Sequence, residues 1–199
     1  MQDNVWSGIL ITGAATPILR ANQCADNGGS GVYFDAGAGG LADSNTCTAC
    51  GQSGMSVSGR NTAPTLRNNR CLDNKKHGIY FENGAGGLAE DNLCERNEQA
   101  GIGVFMVGTA PILRKNRCKE SGKHGICFAK GAQGAAELNF CEKNALSGIA
   151  VFDPRSAPGL RNNRCWGNAY GIYLGKLTAA DLNGNTLDGN SDADLRDDR

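Results

Sequence analysis

The sequence predicts an all-β chain wound as a parallel β-helix, a solenoid of about eight coils of 23–24 residues paired into a 47-residue super-repeat. Three observations predict it. Asn-x-Cys recurs at Asn22, Asn45, Asn69, Asn92, Asn116, Asn139 and Asn163, and Asn-Thr-Leu follows at Asn185, in steps of 23, 24, 23, 24, 23, 24 and 22. A Gly followed by an apolar residue marks each unit, at Gly8, Gly31, Gly54, Gly78, Gly101, Gly125, Gly148 and Gly171. Apolar side chains then alternate, as in Ile79/Phe81, Ile102/Val104, Ile126/Phe128 and Ile149/Val151, which is the period of a strand with one face buried. A fixed period of this size means stacked units that bury a shared core. At a strand spacing of about 4.8 Å, eight coils stack to roughly 38 Å. A leucine-rich repeat is the architectural rival, but its L-x-x-L-x-L run before the Asn is missing.

Each element has a reason. The Gly-apolar segment is the first strand. The stretch "APILRKNRC", 110–118, repeats as "TPILRANQC", "APTLRNNRC" and "APGLRNNRC", with Pro17, Pro64, Pro111 and Pro158 spaced by 47. Pro cannot donate to a ladder, so it belongs at a turn or strand start. The intervening coils carry "GAGGLAD" at 37–43, "GAGGLAE" at 84–90 and "GAQGAAE" at 131–137. Two before each ladder Asn, the charge alternates: Arg20, Asp43, Arg67, Glu90, Arg114, Glu137, Arg161, then Asn183. Adjacent coils thus meet with opposite charges, where like charges would repel. The Asn residues are expected to form a hydrogen-bonded ladder. A second column follows three residues after each Cys: Asn27, Cys50, Asn74, Asn97, Ser121, Asn144, Asn168 and Asn190. The Cys column itself reads as buried thiols filling space. Cys127 is expected to point outward and to be the most reactive thiol. The β-helix is expected over residues 1–190, with the charged 191–199 as a tail or cap; an uncapped first coil offers an edge for end-to-end association.

Composition excludes several classes. With 20 basic and 20 acidic residues, no net field draws the chain to nucleic acid or an anionic membrane. No apolar run approaches a membrane span of about 18 residues. Nine Cys is an odd number, so a fully paired intrachain disulfide set is impossible, and many free thiols suit a reducing compartment. The start, "MQDNVWSGIL", lacks the pattern of a signal peptide. These features predict a cytoplasmic location.

Candidate functional residues lie on the outward positions of the first strand. They read Leu10, Tyr33, Ser56, Tyr80, Gly103, Cys127, Ala150, Tyr173, and two residues on Thr12, Asp35, Ser58, Glu82, Phe105, Ala129, Phe152, Gly175. Tyr33, Tyr80, Phe105, Phe152 and Tyr173 are the candidate binding residues, because aromatic rings on a sheet face stack on sugars or anchor a protein. Asp35 and Glu82 are the weak candidates for an acid/base pair; two coils separate them by about 9.6 Å, at the edge of the range of roughly 6.5–9.5 Å for inverting glycosidases. No residue is assigned as catalytic. "CTAC" at 47–50 falls on ladder columns and lacks the second pair of a zinc site. His77 and His124, two coils apart, are too distant to share a metal and read as solvated turn residues. No metal and no cofactor are expected.

The units "RNNRCLDNKKHGIYFENGAGGLAEDNLCERNEQAGI" and "APILRKNRCKESGKHGI" resemble β-helix repeats of the NosD/CASH type. They are similar to the repeats of F-box-only ubiquitin-ligase subunits and bacterial relatives. Those share the "P-x-L-R-x-N-x-[hydrophobic]" and "G-G-x-G-x-x-E-x-N" alternation. The resemblance covers about residues 4–190 and implies a right-handed helix. Members range from polysaccharide lyases, hydrolases and epimerases to non-catalytic recognition domains. Alginate epimerases of this type carry Asp-Pro-His; here "DPR" stands at Asp153–Arg155, without the His. No calcium-binding acidic cluster of the pectate lyase kind and no grouped aspartates of the polygalacturonase kind are visible. The chain is therefore expected to be a non-catalytic recognition or scaffold module for a protein or polysaccharide partner. A carbohydrate-active hydrolase, lyase or epimerase is the alternative.

Overall fold

A computed structural model describes all residues, 1–199. The chain winds through three parallel sheets of nine, eight and eight strands. One coil shows the plan. Ile79–Glu82 lies in the first sheet, Leu88–Glu90 in the second and Leu93–Glu95 in the third. Each strand pairs in parallel with its equivalents one coil before and after, as Ile79 does with Met55 and Ile102. There is no helix. The charged C-terminal segment is not a separate tail: Ala193–Asp197 is the ninth strand of the first sheet and pairs with Tyr170–Leu174. The solenoid thus extends past the boundary expected at residue 190.

The core explains the 47-residue period. Inward positions of the first sheet alternate large and small, Phe34, Val57, Phe81, Val104, Phe128, Val151. Those of the second sheet alternate in the opposite sense, Ala42, Leu66, Ala89, Leu113, Ala136, Leu160. A Phe coil therefore carries Ala and a Val coil carries Leu, so each coil fills a similar cross-section. Close-packed cores reward this volume matching.

The corners alternate for a related reason. Gly40, Gly87 and Gly134 have φ of 98°, 105° and 105°, and a Cβ there would sit 2.3 Å from the carbonyl oxygens of Pro17, Pro64 and Pro111. Only Gly serves a corner stacked this closely on the Pro corner below. Two residues before three of the prolines a buried hydroxyl closes the same corner. The Oγ atoms of Thr62, Thr109 and Ser156 accept the backbone N–H of Gly37, Gly84 and Gly131 at 2.9–3.0 Å. The charged column pairs across coils as expected, with Arg20 and Arg67 on Asp43, Arg114 on Glu90 and Arg161 on Glu137.

The Asn column is a continuous ladder. Each Nδ2 from Asn22 to Asn163 donates to the next Oδ1 at 2.9–3.0 Å. The second column is a broken ladder: Asn74 donates to Asn97 and Asn144 to Asn168, both at 2.9 Å. Cys50 and Ser121 interrupt it, and the Ser121 hydroxyl has no partner. The seven Cys from Cys24 to Cys165 that follow ladder asparagines are buried, free and in register in the third sheet. Neighbouring thiols and burial hold Cys71, Cys118 and Cys165 well above the ordinary thiol range.

The Gly-apolar signature is the counterpart of this row. A Cβ on Gly78 would lie 2.6 Å from the Gly101 carbonyl oxygen and 2.8 Å from Cys94 Sγ. We expect Gly78→Ala to lower unfolding stability by about 1–3 kcal/mol through overpacking. Gly86→Ala, where a Cβ meets nothing within 4 Å, should be near neutral. Urea unfolding of the two variants checks this; equal midpoints would show that the row is not tight.

Candidate functional site: a grooved face of the first sheet

The outer face of the first sheet is a run of clefts along the solenoid axis. Trp6, Leu10, Thr12, Tyr33 and Asp35 border the first, of about 450 Å³. Tyr33 and Tyr80 wall the second, of about 320 Å³, over a floor of Ser30, Ser53 and Ser56. The third, of about 340 Å³, lies between Phe105 and Phe152 over Ala100, Cys127 and Ala129. The fourth, of about 240 Å³, holds Phe152, Tyr170, Tyr173 and Arg196. Adjoining clefts share Tyr33, or His124 and Phe152, or meet at one aromatic ridge.

Local sequence builds these clefts. Ser56 sits in register between Tyr33 and Tyr80, so a small residue opens a slot between two rings. Gly103, Cys127 and Ala150 do the same farther on. A Cβ on Gly103 would lie 2.9 Å from both His77 Nδ1 and the Phe105 ring. Its absence lets the ridge form. In that ridge His77 stacks on Tyr80 with centroids 4.8 Å apart and planes 9° apart, and Phe105 tilts against both at 5.6 Å. A second cluster joins His124 to Phe152 at 5.4 Å and Phe152 to Tyr173 at 5.2 Å.

The five aromatic candidates thus lie on one face, half-buried as cleft walls rather than standing free on a flat surface. Burial raises the hydroxyl pKa of Tyr80, which also donates to Glu82 at 3.1 Å. Tyr173 donates to Asp198 at 3.1 Å. Asp35 and Glu82 are not brought together. Ser58 lies in register between their coils, Asp35 accepts the Ala36 N–H at 2.8 Å, and Glu82 is engaged by Tyr80.

Two expectations are corrected. Cys127 points to the outer face but is only 5% exposed, covered by the walls of its cleft, and burial pushes its thiol up to about 12. It is a floor residue of that cleft. His77 and His124 are not solvated turn residues. They are 9% and 8% exposed, and burial lowers both to about 4, so they are uncharged near neutral pH. The reason is a break in alternation: Gly101, Gly125 and Gly148 drop out of the strand register, Gly78 faces the core Cys94 sulfur beside the inward Ile79, and the residue before each such Gly turns on to the outer face. His77 Nδ1 accepts the Ala100 N–H at 3.4 Å, whereas His124 Nδ1 has no partner. No group of three or more His, Cys, Asp or Glu side chains is placed to hold a metal ion.

Fold and face define the class of protein: a parallel β-helix with a lengthwise groove. A model of the right-handed β-helix region matches residues 2–117 and 103–195. The chain belongs to the right-handed β-helix family. Among solved structures it is similar to the periplasmic alginate epimerase AlgG, with 17% identity and a TM-score of 0.79 over 90% of this chain and 47% of that one. A point mutant of AlgG gives 15% identity and a TM-score of 0.76 over the same shares. The chain therefore spans about half the length of these neighbours, and the likeness is one of fold. No curated protein sequence matches it.

Proposed function

We propose that the protein is a non-catalytic recognition module that holds a linear polysaccharide lengthwise along the grooved face. The observation that carries this reading is the run of four clefts along one sheet, walled by Tyr33, Tyr80, Phe105, Phe152 and Tyr173. Aromatic walls offer apolar area to sugar ring faces, and serine floors and polar rims meet hydroxyls. A polymer lying along the axis meets a new coil about every 4.8 Å, so many weak contacts add up.

The second reading is a carbohydrate-active enzyme. One observation favours it: His124, Lys123, Lys130 and Asp153 border a single cleft, and the fold is shared with an alginate epimerase. Against it, a general base works best with a pKa near the working pH, and burial holds both histidines near 4.

A polysaccharide panel scored for melting-temperature shift and for released or unsaturated ends tests the choice. We expect a shift without product, lost in Tyr33→Ala/Tyr80→Ala. Product formation abolished by Asp153→Asn or His124→Gln would make the protein an enzyme. Silence across the panel would transfer the face to a protein partner.

A further inference from the structure

Two clefts of the groove differ in kind, and the difference refines the polysaccharide reading on which this inference rests. The cleft between Tyr33 and Tyr80 has a hydroxyl floor, where Ser30 and Ser56 share a 2.8 Å hydrogen bond. Its border charges, Lys76 and Glu82, cancel. The cleft between Phe105 and Phe152 has an apolar floor and an excess of cations. Lys123 and Lys130 are both exposed, and neither forms an ion pair. The Lys123 ammonium donates only to Gln99 Oε1, at 3.1 Å. The single acid, Asp153, accepts the Lys130 backbone N–H at 3.0 Å. His124 in the cleft wall is more than nine-tenths buried, and its Nδ1 lacks a partner.

The geometry points to a division of labour: the tyrosine cleft takes a neutral sugar and the phenylalanine cleft takes a sugar bearing an anionic group. The ring of the acidic sugar lies over Ala129 between the Phe walls, and its carboxylate or sulfate ester meets the lysine at one end of the strand His124–Ala129, Lys123 or Lys130. The two floors, Ser56 and Cys127, are three coils apart, about 14 Å at strand spacing. The ridge of Tyr80, His77 and Phe105 stands between them. The ligand is therefore a heteropolysaccharide whose acidic sugars are separated by neutral ones. A uniformly acidic polymer would bring an anion against Glu82, and a neutral one would leave both lysines unmatched. Such penalties set specificity as much as attractions do.

The full chain should be titrated calorimetrically with three polymers of matched length. One is a neutral β-glucan, one a uniform polyuronate, and one carries a uronate separated by two or three neutral sugars. A sulfated version of the third distinguishes the two anionic groups. The mixed polymer should bind about tenfold tighter than either uniform one, a difference of about 1.4 kcal/mol. Lys123→Ala/Lys130→Ala should erase that advantage and its salt dependence, and should not weaken β-glucan binding. Tyr33→Ala/Tyr80→Ala should weaken all three. Equal binding of the uniform polyuronate or of the glucan, or an unaffected lysine variant, overturns the division of labour and leaves the polysaccharide reading standing. Absence of binding to every polymer removes both.

Discussion

Replacing Asn92 by Ala is expected to destabilise the fold by about 3–5 kcal/mol, because each buried polar group left unsatisfied costs about 1–3 kcal/mol. Asn92 is 1% exposed. Its Oδ1 accepts the backbone N–H of Asn69 at 2.9 Å and the Asn69 Nδ2 at 3.0 Å. Its Nδ2 donates to the Leu66 carbonyl and to Asn116 Oδ1, both at 2.9 Å. Truncation orphans the Asn69 N–H, removes the side-chain partner of the Leu66 carbonyl and leaves a small void. The ladder also holds a corner of unfavourable geometry: the preceding residues Asn68, Asp91 and Lys115 have φ of 53–55°, and the left-handed region costs non-Gly residues roughly 1–2 kcal/mol. Asn22→Ala at the half-buried first rung should cost less, because no ladder donor bonds its Oδ1 and water can replace part of what is lost. Urea unfolding of both variants measures the contrast, and equal losses at the two positions would sink the ladder argument.

Most of the solenoid was legible because stacking turns each structural demand into a column. Asn, Cys, Gly and the Arg/acid alternation each recur at positions that the coil geometry superimposes, so periodicity alone locates strands and corners. The cause of the doubled period was less legible. It lies in pairings between sheets, such as Phe81 with Ala89 and Val104 with Leu113, and in contacts between coils, such as Gly87 on Pro64. Those partners are distant in sequence, and only the stacked structure shows that one compensates for the other. The C-terminal strand escaped because "SDADLRDDR" has one large apolar residue, Leu195, and an edge strand can be mostly polar.

The site divides in the same way. Tyr33, Tyr80, Phe105, Phe152 and Tyr173 could be placed on one face by alternation within a strand. The clefts between them could not, since a cleft depends on what is missing at Ser56, Gly103, Cys127 and Ala150. His77 and His124 were misread because the backbone breaks register at the following Gly, which redirects the side chain on to the sheet face. The "HG" pair in "KKHGIY" and "GKHGIC" was the available signal, a bulky polar residue before a Gly whose backbone does not continue the alternation.

Those two histidines should make the fold sensitive to mild acid. Burial lowers both to about 4, whereas an unfolded His titrates near 6.5. Between these values the unfolded chain binds more protons than the native one, so stability falls as pH falls. It is fully present above about pH 6.5 and declines toward pH 4, by roughly 3 kcal/mol per histidine at most. The three carboxylates that their partners hold low do not account for a loss in that window. Asn68 and Arg67 hold Asp43 below 3.8, and Arg199 and Arg196 hold Asp197 and Asp198 below it, so their contribution disappears only in stronger acid. Unfolding curves at pH 7 and pH 4.5 should therefore differ steeply for the parent, and much less for His77→Gln/His124→Gln. A parent whose stability is flat over that range, or a double variant with the same slope, would contradict the burial of these rings. The response would also reach the groove, because a charged His77 lies under Tyr80 and Phe105 and a charged His124 beside Phe152.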